Sequence, residues 1–304
     1  MSTKWITIAP LNEAFWLRTF SLPISFAESV TLDLIPSWAR LPETLKHLGT
    51  VDAEQIKRSQ YAFQVPFDAD ALGSPDPNPM LPFTRSIQEA KHELVSMANL
   101  ACWVVKPCGL GFYAMMHFDE IDVEPQLRQY SHVRRFQPNE AYRKEILDND
   151  AFLKAAEIHD ILTKLDRKNT AWTAMYALWL GLCETDWASR FMQFWICLEA
   201  LFGPQDAREM TFRISQRIAF FLETDPVKAK YIFDQTKKSY SWRSKIVHGL
   251  HLTKLTQEES GQLSISLEIL VSEVLLKIFS IPKLLDAFDG PSRDSYLDDL
   301  VLSR

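Results

Sequence analysis

The period of the apolar positions changes along the chain. Short runs rich in β-branched or aromatic residues at Trp5–Ile8, Thr31–Leu34 and Tyr61–Val65 predict strands. Ile87, Ala90, Leu94, Met97 and Leu100 then recur mostly at three- and four-residue steps, which predicts a helix over Arg85–Leu100. Cys102–Val105 and Gly111–His117 read as a hairpin around Lys106–Leu110. The run from Gly73 to Pro79, with Pro at every second position from Pro75, is a loop by composition. Glu124–Pro138 reads as a linker or an exposed edge.

From about Glu140 the period becomes helical. Helices are expected at Asp150–Leu165, Ala171–Cys183, Asp186–Phe202 and Arg208–Leu222. In the third of these, Phe191, Phe194, Trp195, Leu198, Leu201 and Phe202 form one apolar stripe, and Gly203-Pro204 stops it. Asp225-Pro226 opens another helix, with Asp as N-cap and Pro in the first turn. Ser239–Leu250 reads as a short helix of its own. Thr256 and Glu259 make a capping box for a last long helix reaching about Phe279. The tail beyond it, with Asp286, Asp289, Asp294, Asp298 and Asp299, is expected to be solvated or frayed.

Proline usage draws the same division. Twelve of the 16 prolines lie between Pro10 and Pro138. Proline breaks helix interiors and central strands, so long helices belong to the C-terminal part. The expected class is α+β: a mixed N-terminal domain of short strands over residues 1–140, then an all-α bundle of roughly five to seven helices over residues 141–304. A length of 304 residues agrees with about two domains.

Composition narrows the function classes. A net charge of −6 gives no global basic excess, so any nucleic-acid site must be local. Four cysteines, with no CxxC pair and no zinc-finger partner, fit a reducing compartment rather than a disulfide scaffold. Met1–Ala9 has no leader-like pattern, and the apolar run at Ala171–Leu182 is too short to span a bilayer. A cytoplasmic protein without a membrane partner is expected. No glycine-rich phosphate loop or G-x-S-x-G elbow is present, and no cofactor or metal site is expected. His117 with Asp119 and Glu120 lacks a second metal-spaced histidine and reads as a strand-end polar cluster.

The most informative segment is Tyr240-Ser241-Trp242-Arg243-Ser244-Lys245-Ile246-Val247-His248-Gly249. Arginine stays charged and can fork onto phosphate oxygens, while histidine titrates near neutral pH and suits proton transfer. Between Arg208 and Lys254 stand ten basic and four acidic residues, a local excess of six. That favours a phosphate backbone, and Tyr240 and Trp242 are candidates to stack bases. Five residues on a helix turn through about 140°, so Arg243 and His248 do not share a tight face.

Arg243-Ser244-x-x-x-His248 resembles the R-x4–6-H motif of HEPN domains, and Arg243–Gly249 is similar to the Apea-like group. Cys197–Phe202 and Arg217–Leu222 resemble that group's preceding helices in the same order, so the likeness covers about 186–281. The resemblance implies a metal-independent RNA endonuclease, usually a homodimer, acting in phage defence or toxin–antitoxin pairs. It also admits a non-catalytic module that binds RNA or nucleotide, or assembles with a partner such as an antitoxin. On the catalytic reading Arg243 and His248 are the catalytic residues. Glu199 is either an acid that orients one of them or a solvated edge residue. Ser244 bonds substrate or its own backbone. Tyr240, Lys245, Arg213, Arg217, Lys237 and Lys238 are the candidate RNA contacts; Tyr240 can instead pack in the bundle. The competing reading of His248 is a helix-end residue meeting terminal carbonyls. His251 stands off the motif spacing.

Overall fold

The two regimes of apolar period become two different units. The computed structural model describes residues 4–12, 21–68, 87–119, 125–134, 136–142, 145, 147–204, 206, 208–248 and 255–303. The chain divides into Met1–Thr163 and Lys164–Arg304.

The first unit is built on a six-stranded antiparallel sheet. Its strands are β1 (Lys4–Pro10), β2 (Ile24–Ser25), β3 (Thr31–Leu34), β4 (Tyr61–Asp68), β5 (Ala114–Asp119) and β6 (Gln126–His132), in the order β2-β3-β4-β1-β5-β6. Side chains alternate between the faces of a strand. Ile8, Ala62, Met116 and Phe118 therefore share one core with Ile35, Ala39, Leu45 and Ile56, the last two from the helices α1 (Pro42–Leu45) and α2 (Thr50–Arg58). Thr7 and His117 are register partners on the other face, where Thr7 Oγ1 lies 2.8 Å from His117 Nδ1. Two further helices complete the unit, α3 (Ile87–Val105) and α4 (Asn149–Lys164).

Two expectations are corrected here. Cys102–Val105 ends α3 and forms no hairpin strand; Ala98, Ala101 and Cys102 are fully buried, and this packing overrides the β-branched Val104-Val105 pair. The unit boundary falls after Thr163 rather than at 140/141. His159 of α4 donates from Nε2 to the Leu94 carbonyl of α3 at 3.0 Å, and its ring meets Phe26 edge-on at 5.7 Å. The run from Gly73 to Pro79 lies outside the described residues.

The second unit holds seven helices among the described residues: α5 (Thr170–Cys183), α6 (Trp187–Phe202), α7 (Met210–Leu222), α8 (Pro226–Val247), α9 (Gln257–Ser280), α10 (Pro282–Asp289) and α11 (Arg293–Leu302). All six stripe residues of α6 are fully buried. Asp186 caps α6 by accepting from Ser189 N at 2.8 Å, Asp225 caps α8, and the Thr256–Glu259 capping box opens α9. Gly181 lets α5 approach α6 closely; a Cβ there would sit 3.0 Å from Phe194 Cε1.

Two expectations change here as well. Ser239–Leu250 is not a separate helix: α8 runs unbroken to Val247, because Ala229, Thr236 and Tyr240 keep one buried face through the expected break. The acidic tail is helical and packed. Phe288 is fully buried against Phe202, Phe221 and Tyr296, and Asp289 accepts from Ala171 N and Asn169 Nδ2, both at 3.0 Å. All four cysteines are buried, and burial pushes the Cys102, Cys108 and Cys197 thiols up. No helix among the described residues is long and apolar enough to cross a membrane.

Candidate active site

The site is assembled from the last turn of α6 and the C-terminal third of α8. The buried α6 stripe leaves Glu199 at its margin, with its side chain 22% exposed. Gly203 N donates to the Glu199 carbonyl at 2.8 Å and ends the helix there. A Cβ at Gly203 would collide with that oxygen, so the stop requires glycine. Across from it, Arg243 of α8 turns toward α6. Its Nη2 donates to Glu199 Oε2 at 2.9 Å, and its Nε lies 2.8 Å from Oε1. Only the Nη2 contact has hydrogen-bond alignment; Nε and Oε1 are close but not aligned, so the clasp is one charge-assisted hydrogen bond with a second ion-pair contact beside it.

Tyr240 sits one helical turn before Arg243 and is buried. The Arg243 Cζ lies 5.6 Å from its ring centroid, and Trp195 packs on it edge-on at 4.9 Å. Burial first, then the Glu199 charge and a hydrogen bond to that carboxylate, pushes the Tyr240 phenol up to about 12. It therefore stays protonated beside the Glu199 carboxylate. Tyr240 belongs to the packing and to the clasp; its ring is not presented to a base as the stacking expectation required.

His248 is the C-cap of α8 and is exposed. Its backbone N donates to the Ser244 carbonyl at 3.2 Å, so the main chain of Ser244 ends the helix. Within one chain, Arg243 and His248 make no contact with each other among the described residues. Arg243 faces α6, while His248 stands free at the helix end. His251 lies outside the described residues.

The expected RNA contacts separate into two groups. Lys237, Lys238 and Lys245 are exposed on α8, and Lys245 Nζ sits 3.9 Å above the Trp242 ring. Arg213 is half-buried on α7. Arg217 is corrected: only 2% exposed, it donates to the Phe202 carbonyl at 3.1 Å and to Asp298 Oδ1 at 2.7 Å. It joins α7 to α6 and α11 and is not presented to a phosphate backbone. The sequence reading also missed Arg293, which donates to the Ala200 and Gly203 carbonyls and so fixes the end of α6 that carries Glu199. Nothing local signals this, because its partners lie some ninety positions upstream. In the first unit, His117 pairs with Thr7 and Asp119 pairs with Arg128, in keeping with a polar cluster on β5; Glu120 lies outside the described residues.

No family model, curated protein or solved structure matches the chain.

Proposed function

We propose that this chain is a metal-independent RNA endonuclease of HEPN type, acting in the cytoplasm as a phage-defence or toxin-like stress effector. The observation that carries the reading is at the end of α8. Arg243 is held on one edge by Glu199, and exposed His248 terminates the same helix. Exposed Lys237, Lys238 and Lys245 extend the positive surface along that helix.

The chemistry needs no added nucleophile, because RNA carries its own 2′-OH. His248 takes the 2′-OH proton, and the oxygen attacks the adjacent phosphorus. Arg243 holds the non-bridging oxygens as negative charge builds in the transition state. The P–O5′ bond breaks, and the departing oxygen takes a proton from a protonated imidazole. The products are a 2′,3′-cyclic phosphate and a 5′-OH. One chain supplies one Arg and one His that face apart, so the reading places two copies around a shared groove, each giving both side chains. The first unit serves as the sensor or recognition module, and an antitoxin-like partner can hold the enzyme in check.

A second reading is a non-catalytic module that binds RNA or nucleotide or assembles with a partner. The separation of Arg243 from His248 within one chain favours it. The test is incubation of purified protein with a mixed RNA pool, including tRNA, in EDTA, beside Arg243→Ala and His248→Ala. Cleavage lost in both variants, with cyclic-phosphate ends, is the expected result. Cleavage surviving both substitutions overturns the assignment. RNA binding without cleavage by any version, weakened in Arg243→Ala, moves the function to the binding module.

A further inference from the structure

Resting on the ribonuclease reading, we propose that Glu199 and Tyr240 are positioning residues that hold one edge of the Arg243 guanidinium inward and reserve the other edge for a single phosphate group. A guanidinium has two edges able to make paired hydrogen bonds, Nε with Nη2 and Nη1 with Nη2. Glu199 covers the first, through a hydrogen bond from Nη2 to Oε2 at 2.9 Å and an unaligned Nε–Oε1 contact at 2.8 Å that keeps Nε buried. Nη1 has no protein partner among the described residues, and the side chain is 24% exposed, so water or a ligand reaches it. The Tyr240 ring, fixed from behind by Trp195, sets the plane of the group.

Two consequences follow for the substrate. An unrestrained arginine meets phosphate through either edge; here only the Nη1 edge remains, which fits two non-bridging oxygens of one phosphodiester. The carboxylate also offsets the guanidinium charge. Glu199 therefore sharpens orientation while weakening the raw attraction for RNA. Removing its charge should separate binding from catalysis.

The test compares wild type with Glu199→Gln, Glu199→Ala and Tyr240→Phe by two independent readouts. The first is the Arg243 Nε–H resonance in ¹⁵N–¹H spectra, assigned with Arg243→Lys. It should persist in Glu199→Gln, where a side chain of the same size still covers Nε, and broaden or vanish in Glu199→Ala, which opens the buried Nε to water. The second is RNA cleavage. Glu199→Gln should lower kcat by about tenfold or more through lost alignment, while KM stays level or falls by about twofold to fivefold through lost repulsion. Circular dichroism and the thermal midpoint of Glu199→Gln check that the fold is kept. An Nε–H resonance unchanged in Glu199→Ala overturns the positioning role, as does a kcat unchanged in both Glu199 variants. If wild type cleaves no RNA, the ribonuclease reading fails, and the resonance alone decides whether Glu199 holds Arg243.

Discussion

In the sheet unit the deepest titratable groups include His117 and His159, which are buried as neutral imidazoles. Burial drives each down to about 4, and each has one hydrogen-bond partner among the described residues, Thr7 or the Leu94 carbonyl. In the helical unit the corresponding groups are arginines that cannot lose their proton, each answered by carboxylates on another helix. Arg190 meets Glu268, with side chains 8% and 0% exposed. Arg217 meets Asp298 and Asp294, and Arg243 meets Glu199. The sheet unit keeps these imidazoles neutral and pairs its buried Asp119 with a half-exposed arginine on the neighbouring strand, whereas the helical unit answers enclosed arginines with carboxylates and so ties helices together. What separates the Arg243 clasp from the other two is access: both of its partners are about a quarter exposed, whereas Arg190 and Arg217 are closed off. A fixed cation is thereby left where a ligand can reach it.

Breaking the most enclosed clasp is the largest test of that contrast. Glu268→Ala should strand the Arg190 charge in the core and cost about 3–5 kcal/mol of unfolding free energy, since removing one partner of a buried pair leaves an uncompensated ion. Urea denaturation followed by tryptophan fluorescence measures it. A loss below about 1 kcal/mol would mean that water already reaches the pair.

Acid acts on the other unit. The folded values of His117 and His159 lie below the usual 6.5, so the unfolded chain binds the proton first as pH falls. Their contribution to stability is whole above about 6.5, is lost between about 6.5 and 4, and is level below that. The slope is at most about 1.4 kcal/mol per pH unit for each histidine. Unfolding measured across that window should steepen for wild type and flatten in His159→Gln. An identical slope in the variant would remove His159 from the explanation.

Much of this was legible in the sequence, for local reasons. The α6 stripe, the Asp225 and Thr256 caps, and the strands at β1, β3 and β4 rest on periods and spacings within a few residues. The hidden features depend on partners far along the chain. Cys102–Val105 remains helical because buried neighbours outweigh a β-branched pair. The acidic tail folds because Asp298 reaches Arg217 and Asp289 reaches the start of α5. In the site, Arg243 and His248 could be singled out by spacing, and Glu199 by its place at the edge of a stripe. That Glu199 and Arg243 form a clasp, and that Arg293 braces the helix end beneath it, rests on contacts between residues 44 to 93 positions apart.

The claim that one chain holds half a site is tested most directly by complementation. Arg243→Ala and His248→Ala chains carrying different tags are co-expressed, the mixed pair is purified through both tags, and cleavage of labelled RNA is followed in EDTA. Each variant alone should be inactive. The mixed pair, which keeps one arginine and one histidine in its groove, should recover on the order of a tenth or more of the wild-type rate. A mixed pair as inactive as its parents, beside an active wild type, would contradict a site shared between two copies.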